Sequence, residues 1–401
     1  MREADARRRR CDRSLRTMME TIGVIGGGQL GRMFALDAKR MGYSVITLDP
    51  VPHSPCGQVS DEQIVAQYDD FDAIDELGRR SDIVTYEFEN IAIESVERLE
   101  NDGYNVTPGS RVLRVTQHRL LEKRFVRSCG IPVAEFEQVD SAADLDRIEK
   151  VVGYPAVFKT VRGGYDGKGQ WVVRESEQAH AALEAAAGAQ LIAERFVPFI
   201  CEISVICTRN SRGDIVTYPV AENVHDRGVL FMSIVPARVD PGVARRAEEF
   251  ARTIARKLEI VGTFCVEFFV TNDGGVLVNE IAPRPHNSGH YTIDATPCSQ
   301  YEQHVRAICA LPLSPPQLLR NAIMVNILGS GEGDHLEGIE QILSDPAIVL
   351  HLYGKKHAVN RRKMGHFTML LERAPDDAAI AHAKDALGLL HWSTAGALAG
   401  R

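Results

Sequence analysis

No stretch of the chain approaches the roughly 18 consecutive apolar residues that a membrane-spanning helix needs. No CxxC pair and no Cys/His group at metal-ligand spacing occurs among its eight cysteines. That argues against a zinc site and a disulfide scaffold, and the expectation is reduced, mostly packed thiols in a cytoplasmic protein. The Walker A pattern G-x-x-x-x-G-K-[ST] is absent, as is any internal repeat. Positive charge is not in excess: 46 Lys and Arg stand against 54 Asp and Glu, a formal net charge of −8. A nucleic-acid platform is therefore not expected. The one basic run, Arg7 to Arg10, lacks the apolar stretch a signal peptide would place after it. Residues 1–19 are expected to be a disordered basic tail.

What is present is an ordinary globular composition, 44% apolar and 25% charged over 401 residues, enough for two or three domains. Strand and helix alternate from residue 21: strands at 21–26, 43–50 and 82–88, helices through Met41, over 70–80 and over 91–101. This alternation predicts a parallel α/β unit. One helix is expected over 114–128, then strands at 151–161, 190–197, 200–209 and 215–225, helices over 176–187 and 241–258, and a hairpin around Asn272–Gly275. LPLSPP (311–316) reads as a linker before short strands and a late helix, 377–389. The expected fold class mixes α/β and α+β, with units at 20–113, 114–316 and 317–401.

Three places carry chemistry. Gly26-Gly27-Gly28-Gln29-Leu30-Gly31 fits G-x-G-x-x-G between strand and helix, and Asp49 ends the next strand, where a dinucleotide fold places its ribose acid. Taken alone, this segment leaves a nicotinamide or flavin site open beside a site for a phosphorylated small molecule. Lys159 closes the apolar strand PAVFK ahead of Gly163-Gly164-Tyr165-Asp166-Gly167-Lys168-Gly169-Gln170, a glycine loop whose free N–H groups can wrap a polyphosphate. In the third place, an Asp-Gly turn at 273–274 predicts a register in which Glu267 faces Glu280, with Cys265 opposite Ala282 and Thr263 opposite Arg284. Phe264, Val266, Phe268 and Val270 then fall on the core face. Opposed carboxylates repel. An oxygen-seeking divalent cation, Mg²⁺, relieves that, with Asn279 as a further donor. Beyond lies Arg284, His286, Asn287 and Ser288.

In that order, GGGQLGRM, FKTVRGGYDGKGQ, VEFFVTNDGGVLVNEIAPRPHNSGHYT and YGKKHAVNRRKMGH resemble the N5-carboxyaminoimidazole ribonucleotide synthetases of purine biosynthesis, the PurK type of ATP-grasp ligase, over about 20–391. The resemblance implies a Rossmann-like pre-ATP-grasp domain, an ATP-grasp domain and a small C-terminal domain, in a homodimer with no nucleic-acid or membrane partner. It implies ATP and Mg²⁺, with Mn²⁺ as a substitute, and carboxylation of 5-aminoimidazole ribonucleotide by bicarbonate through carboxyphosphate. The implied ATP ligands are Arg114, Lys159, Gly164, Tyr165, Asp166, Gly167, Lys168, Gly169, Gln170, Glu194, Arg195, Phe196, Val197, Glu202, His225, Asn279 and Glu280. The implied metal ligands are Glu267 and Glu280. Substrate is expected at Gln29, Leu30, Glu87, Tyr165, Asn287, Ser288, Lys355 and Arg362, and catalysis at Asp166, Lys168, Arg284 and His286, with Asp166 as base. One departure stands out: Val359 replaces an arginine usual in the family, and Arg361 is the candidate substitute. Rival readings are a nicotinamide oxidoreductase, another ATP-grasp ligase and a noncatalytic binding protein.

Overall fold

The computed structural model describes residues 20–164, 169–331 and 333–394. The expected N-terminal tail lies outside them. The first strands are apolar on both faces, as in a sheet covered from both sides. β1 (Thr21–Ile25) leads through the glycine turn into α1 (Gln29–Arg40), and β2 (Ser44–Leu48), β3 (Glu62–Ile64), α2 (Phe71–Arg80), β4 (Ile83–Tyr86) and α3 (Ile93–Asn101) follow. The four strands are parallel in the order β3-β2-β1-β4. Leu30, Met33, Phe34 and Ala38 recur at helical spacing on α1 and face the core.

The single helix expected over 114–128 is two, α4 (Ser110–Thr116) and α5 (Arg119–Ser128). The break is held from outside. Gln117 Nε2 donates to the carbonyls of Glu89 (2.6 Å) and Ile91 (2.8 Å), and the Arg119 N–H donates to the Val161 carbonyl at 3.0 Å.

A second sheet is antiparallel, in the order β5-β8-β6-β7. Its elements are β5 (Phe136–Val139), α6 (Leu145–Val151), β6 (Ala156–Thr160), β7 (Gln170–Val173), α7 (Ser176–Ala185) and β8 (Leu191–Arg195). The strand expected from 151 begins only at Ala156, because Gly153-Tyr154-Pro155 turns the chain out of α6.

The largest sheet has nine strands. β9 (Phe199–Arg209), β10 (Ile215–Thr217), β11 (Ala221–Asp226), β12 (Val229–Val235), α8 (Pro241–Leu258), β13 (Gly262–Thr271) and β14 (Val276–Ala282) come first. Tyr218-Pro219 splits the strand expected over 215–225. α9 (Thr292–Ala295) and α10 (Gln300–Ile308) follow. α8 lays Val243, Ala247, Ala251, Ile254 and Leu258 against Phe264, Val266 and Phe268. α10 returns to the first domain and packs Tyr301, Val305 and Ile308 into the cluster of Leu30, Met33 and Phe34.

Beyond 316 come β15 (Asn321–Leu328), β16 (His335–Glu337), α11 (Ile339–Leu343), β17 (Ile348–Leu352), β18 (Lys363–Leu371), α12 (Asp377–Gly388) and β19 (His391–Ser393). β15 pairs with β12, and β18 and β17 continue outward, so the large sheet runs straight through the 311–316 segment.

Candidate active site

A cavity of about 490 Å³ opens between the second sheet and the large one, a size suited to a small-molecule ligand. Lys159 and Glu194 to Val197 line it from the smaller sheet. Glu202, His225, Glu267, Asn279 and Glu280 line it from the larger. Gln29, Leu30, Glu89, Arg284, His286, Asn287 and Lys363 close the end nearest the first domain.

On the metal side, Glu267 does face Glu280, and Cys265 faces Ala282. The register arrives by a different route from the one expected. Nearer the turn, Phe268 pairs with Val278 and Val270 with Val276, one residue off the two-residue-loop register, and a bulge at Asn279 restores it. The core face holds, with Phe264, Val266 and Phe268 fully buried. Thr263 does not meet Arg284: the ladder stops at Ala282, and Thr263 Oγ1 bonds Thr208 Oγ1 at 2.7 Å. Burial and the charge of Glu280 push the Glu267 carboxyl up to about 8. Among the described residues no group of three or more His, Cys, Asp and Glu is placed to hold a metal. Two opposed carboxylates and the Asn279 amide are an oxygen donor set that fits Mg²⁺ once phosphate and water complete the shell.

On the nucleotide side, Lys159 is buried and its Nζ donates to Glu194 Oε2 at 3.1 Å. Burial lowers its pKa. Burial alone would raise Glu194, but the Lys123 and Lys159 ammoniums hold that carboxyl at about 2. Glu194 Oε1 is buried and has no hydrogen-bond partner among the described residues. Glu202 accepts from His225 Nδ1 at 2.5 Å. This bond and the Glu202 charge outweigh burial and raise His225. Phe199 and Phe269 stack with ring centroids 4.8 Å apart and give the cleft an aromatic wall. Arg195 borders the cleft but turns its guanidinium to the carbonyls of Val152 (2.8 Å) and Val151 (3.2 Å).

Gly164 and Gln170 line the cleft. Gly169 has φ +66°, and a Cβ there would lie 2.7 Å from Thr160 Oγ1, so glycine is required as the hairpin closes. Tyr165, Asp166, Gly167 and Lys168 lie outside the described residues.

Arg114 is a correction. It sits on α4, exposed, paired with Glu97 of α3, and does not reach the cleft. The helix break hands that position to Arg119, the first residue of α5. Its guanidinium bonds the Gly164 carbonyl at 3.1 Å and Glu280 at 3.4 Å.

The glycine fingerprint is also corrected. The Gly27 N–H donates to Asp49 Oδ2 at 2.7 Å, the Gly28 N–H to Glu87 Oε1, and the Gly31 N–H to Glu87 Oε2 at 2.7 Å. Two of the chain's own carboxylates thus occupy the anion position at this helix start. A dinucleotide pyrophosphate has no place there. Asp49 is turned inward, held by the Tyr68 hydroxyl at 2.7 Å, and faces no ribose. Burial raises the Glu87 carboxyl against the pull of these N–H donors. Glu87 is thus a cap behind Gln29 and Leu30, not part of the cleft wall.

At the remaining end, Arg284 is gripped by Glu89, Nε to Oε2 at 2.5 Å and Nη2 to Oε1 at 3.1 Å. His286 Nδ1 meets Ser288 Oγ at 2.9 Å, and its Nε2 lies 3.6 Å from Glu267 Oε1. Burial and the Arg284 charge drive its pKa well down, so the ring is neutral. Ser288 is fully buried, bonded by Ser204 Oγ at 2.7 Å, and supports His286 from behind. Asn287 lines the cleft and bonds Asn326. Lys355 Nζ donates to the Lys363 carbonyl at 2.6 Å, outside this cleft. Arg362 is exposed and contributes its carbonyl to the Gly329 N–H. Arg361 pairs with Asp226 at 3.1 Å. Glu89, Arg119, Phe269 and Lys363 are cleft residues that the sequence did not single out. Only Glu89 carried a signal, as an acid at the exit of a parallel strand.

The ATP-grasp domain family matches residues 124–301, the ribonucleotide synthetase preATP-grasp domain residues 19–117, and the phosphoribosylaminoimidazole carboxylase C-terminal domain residues 322–379. An N5-carboxyaminoimidazole ribonucleotide synthase of Bacillus subtilis is 46% identical over 360 residues, 89% of this chain and 92% of that protein. A crystal structure of the ADP complex of purK, N5-carboxyaminoimidazole ribonucleotide synthetase, is 46% identical with TM-score 0.86, covering 93% of this chain and 98% of that one. An Aspergillus clavatus N5-carboxyaminoimidazole synthase structure, in complex with ADP and the aminoimidazole ribonucleotide, is 32% identical with TM-score 0.85 and covers 93% of this chain and 98% of its own.

Proposed function

The chain belongs to the N5-carboxyaminoimidazole ribonucleotide synthase family of ATP-grasp ligases, and on that premise we propose how its cleft carries out the family's chemistry. It is an ATP-using enzyme that carboxylates 5-aminoimidazole ribonucleotide in purine biosynthesis. The observation that carries the residue assignment is the convergence of Lys159, the opposed Glu267 and Glu280, and the Glu89-held Arg284 on one cleft.

Adenine lies between the Phe199–Phe269 wall and the chain at Glu194 to Val197, and Glu202 with His225 takes the ribose. Lys159, Arg119 and the glycine loop hold the phosphates. Glu267, Glu280 and Asn279 would hold Mg²⁺, which when bound neutralises phosphate charge and polarises the γ-phosphoryl group. Arg284, its fork fixed by Glu89, positions bicarbonate for in-line attack on the γ-phosphorus, giving carboxyphosphate and ADP. Carboxyphosphate breaks to CO₂ and phosphate. The ribonucleotide amine bonds the CO₂ carbon, and its proton passes to Asp166, in the segment between Gly164 and Gly169. Neutral His286 donates or accepts a hydrogen bond without adding charge. The ribonucleotide sits toward Gln29, Leu30 and Asn287, with Lys355 and Arg362 near its phosphate. A homodimer is part of the same reading.

A single turnover with ¹⁸O-bicarbonate tests it. One ¹⁸O per phosphate, formed only with the ribonucleotide present, is expected. Phosphate free of label would remove the carboxyphosphate step.

A further inference from the structure

Glu194 is shared by two buried ammonium groups, and the two are not equivalent. Lys123, on α5, donates to the Asn279 carbonyl at 2.8 Å and the Val278 carbonyl at 3.3 Å and forms an ion pair with Glu194 Oε2 at 3.2 Å. Its side chain is 2% exposed, and it takes no part in the cleft wall. Lys159 has a single acceptor among the described residues, the same Glu194 oxygen, and it does line the cleft. One lysine is fixed by two carbonyls besides its ion pair, and the other is held by one bond beside open space.

A buried carboxylate with a single counter-ion holds it fast, because separating the pair leaves an uncompensated charge in a poorly solvated place. Were Lys159 the only partner, moving it onto a phosphate would strand Glu194. Lys123 removes that penalty. We propose that Lys123 is a positioning residue for nucleotide binding: as the permanent counter-ion of Glu194, tied to the metal-bearing strand through two carbonyls, it leaves Lys159 able to exchange from Glu194 onto the polyphosphate. This rests on the reading of Lys159 as a phosphate contact.

The test is calorimetric titration with adenosine and with ADP, taking the ratio of the two dissociation constants, which isolates the phosphate contribution from that of adenine. Lys159→Met should shrink this ratio about tenfold or more, the order of a charged hydrogen bond. Lys123→Met should shrink it similarly, because Lys159 is then captive. The double variant Lys123→Met/Glu194→Gln should restore it to at least the wild-type value, because the captor is gone. A merely structural Lys123 gives losses that add in the double variant, and that result, or an unchanged ratio in Lys123→Met, overturns the proposal. An unchanged ratio in Lys159→Met would instead sink the phosphate reading itself. Should Lys123→Met fail to fold, the double variant carries the test alone, and a ratio as small as that of Lys159→Met overturns the proposal.

Discussion

Glu267 faces Glu280 across one rung of a ladder, and burial and that neighbour push its carboxyl from 4.5 up to about 8. Between those values the folded chain holds a proton that the unfolded chain has released, so raising the pH weakens the metal-free fold. Melting curves in chelator should therefore fall as the pH rises from about 4.5 to about 8. Glu267→Gln, which cannot ionise, should flatten that slope and melt higher than the parent at pH 8. Parallel slopes for the two proteins would show that Glu267 is not the titrating group. At this scale the sequence was most legible where spacing alone decides a neighbour. Glu267, Glu280 and their core-facing flankers follow from alternation around a turn. Arg119 does not, because a helix break made by Gln117 decides it, and the partners of Gln117 are carbonyls 26 and 28 residues away.

The turn after β1 shows how an element can carry a motif without its usual ligand. Asp49 and Glu87 satisfy the N–H groups that a dinucleotide would meet. NADH fluorescence should therefore be unaffected by the protein at millimolar ligand. A Cβ on Gly27 would lie 2.2 Å from Ser54 Oγ and 2.7 Å from Asp49 Cβ. Gly27→Ala should then cost about 1–3 kcal/mol in urea unfolding, the usual penalty of overpacking. The glycine pattern was visible in the sequence. Its occupant was not, because Glu87 is brought to the turn by the pairing of β4 with β1, some 60 residues along the chain. The same limit applies to the hairpin, where a longer loop and a bulge offset one another, and to Tyr218-Pro219, which divides a run that alternation reads as one strand.

Across the whole molecule, the large sheet joins parts of the chain that composition separates. β12 pairs with β15, and Met232, Ile234, Ile323, Val325 and Phe367 share one core cluster. A chain ended at 316 would strip β15 from β12 and leave that apolar edge open. Expressed alone, it should aggregate or lose cooperative unfolding, while a soluble product with an unchanged nucleotide affinity would mean that the C-terminal segment is a detachable unit. The Pro-rich 311–316 segment looks like a boundary in sequence, but strand pairing is non-local and passes through it. Strand-helix alternation gave the first domain, and the four motifs gave the family. The route by which α10 and the C-terminal strands lock the parts together depends on contacts no local pattern encodes.

The most direct test of the account is ADP release from ATP, Mg²⁺ and ¹⁴C-bicarbonate, measured with and without 5-aminoimidazole ribonucleotide. The account predicts a large stimulation by the ribonucleotide, with one acid-labile ¹⁴C fixed per ADP. ADP release indifferent to the ribonucleotide, or stimulation with no fixed label, would contradict it.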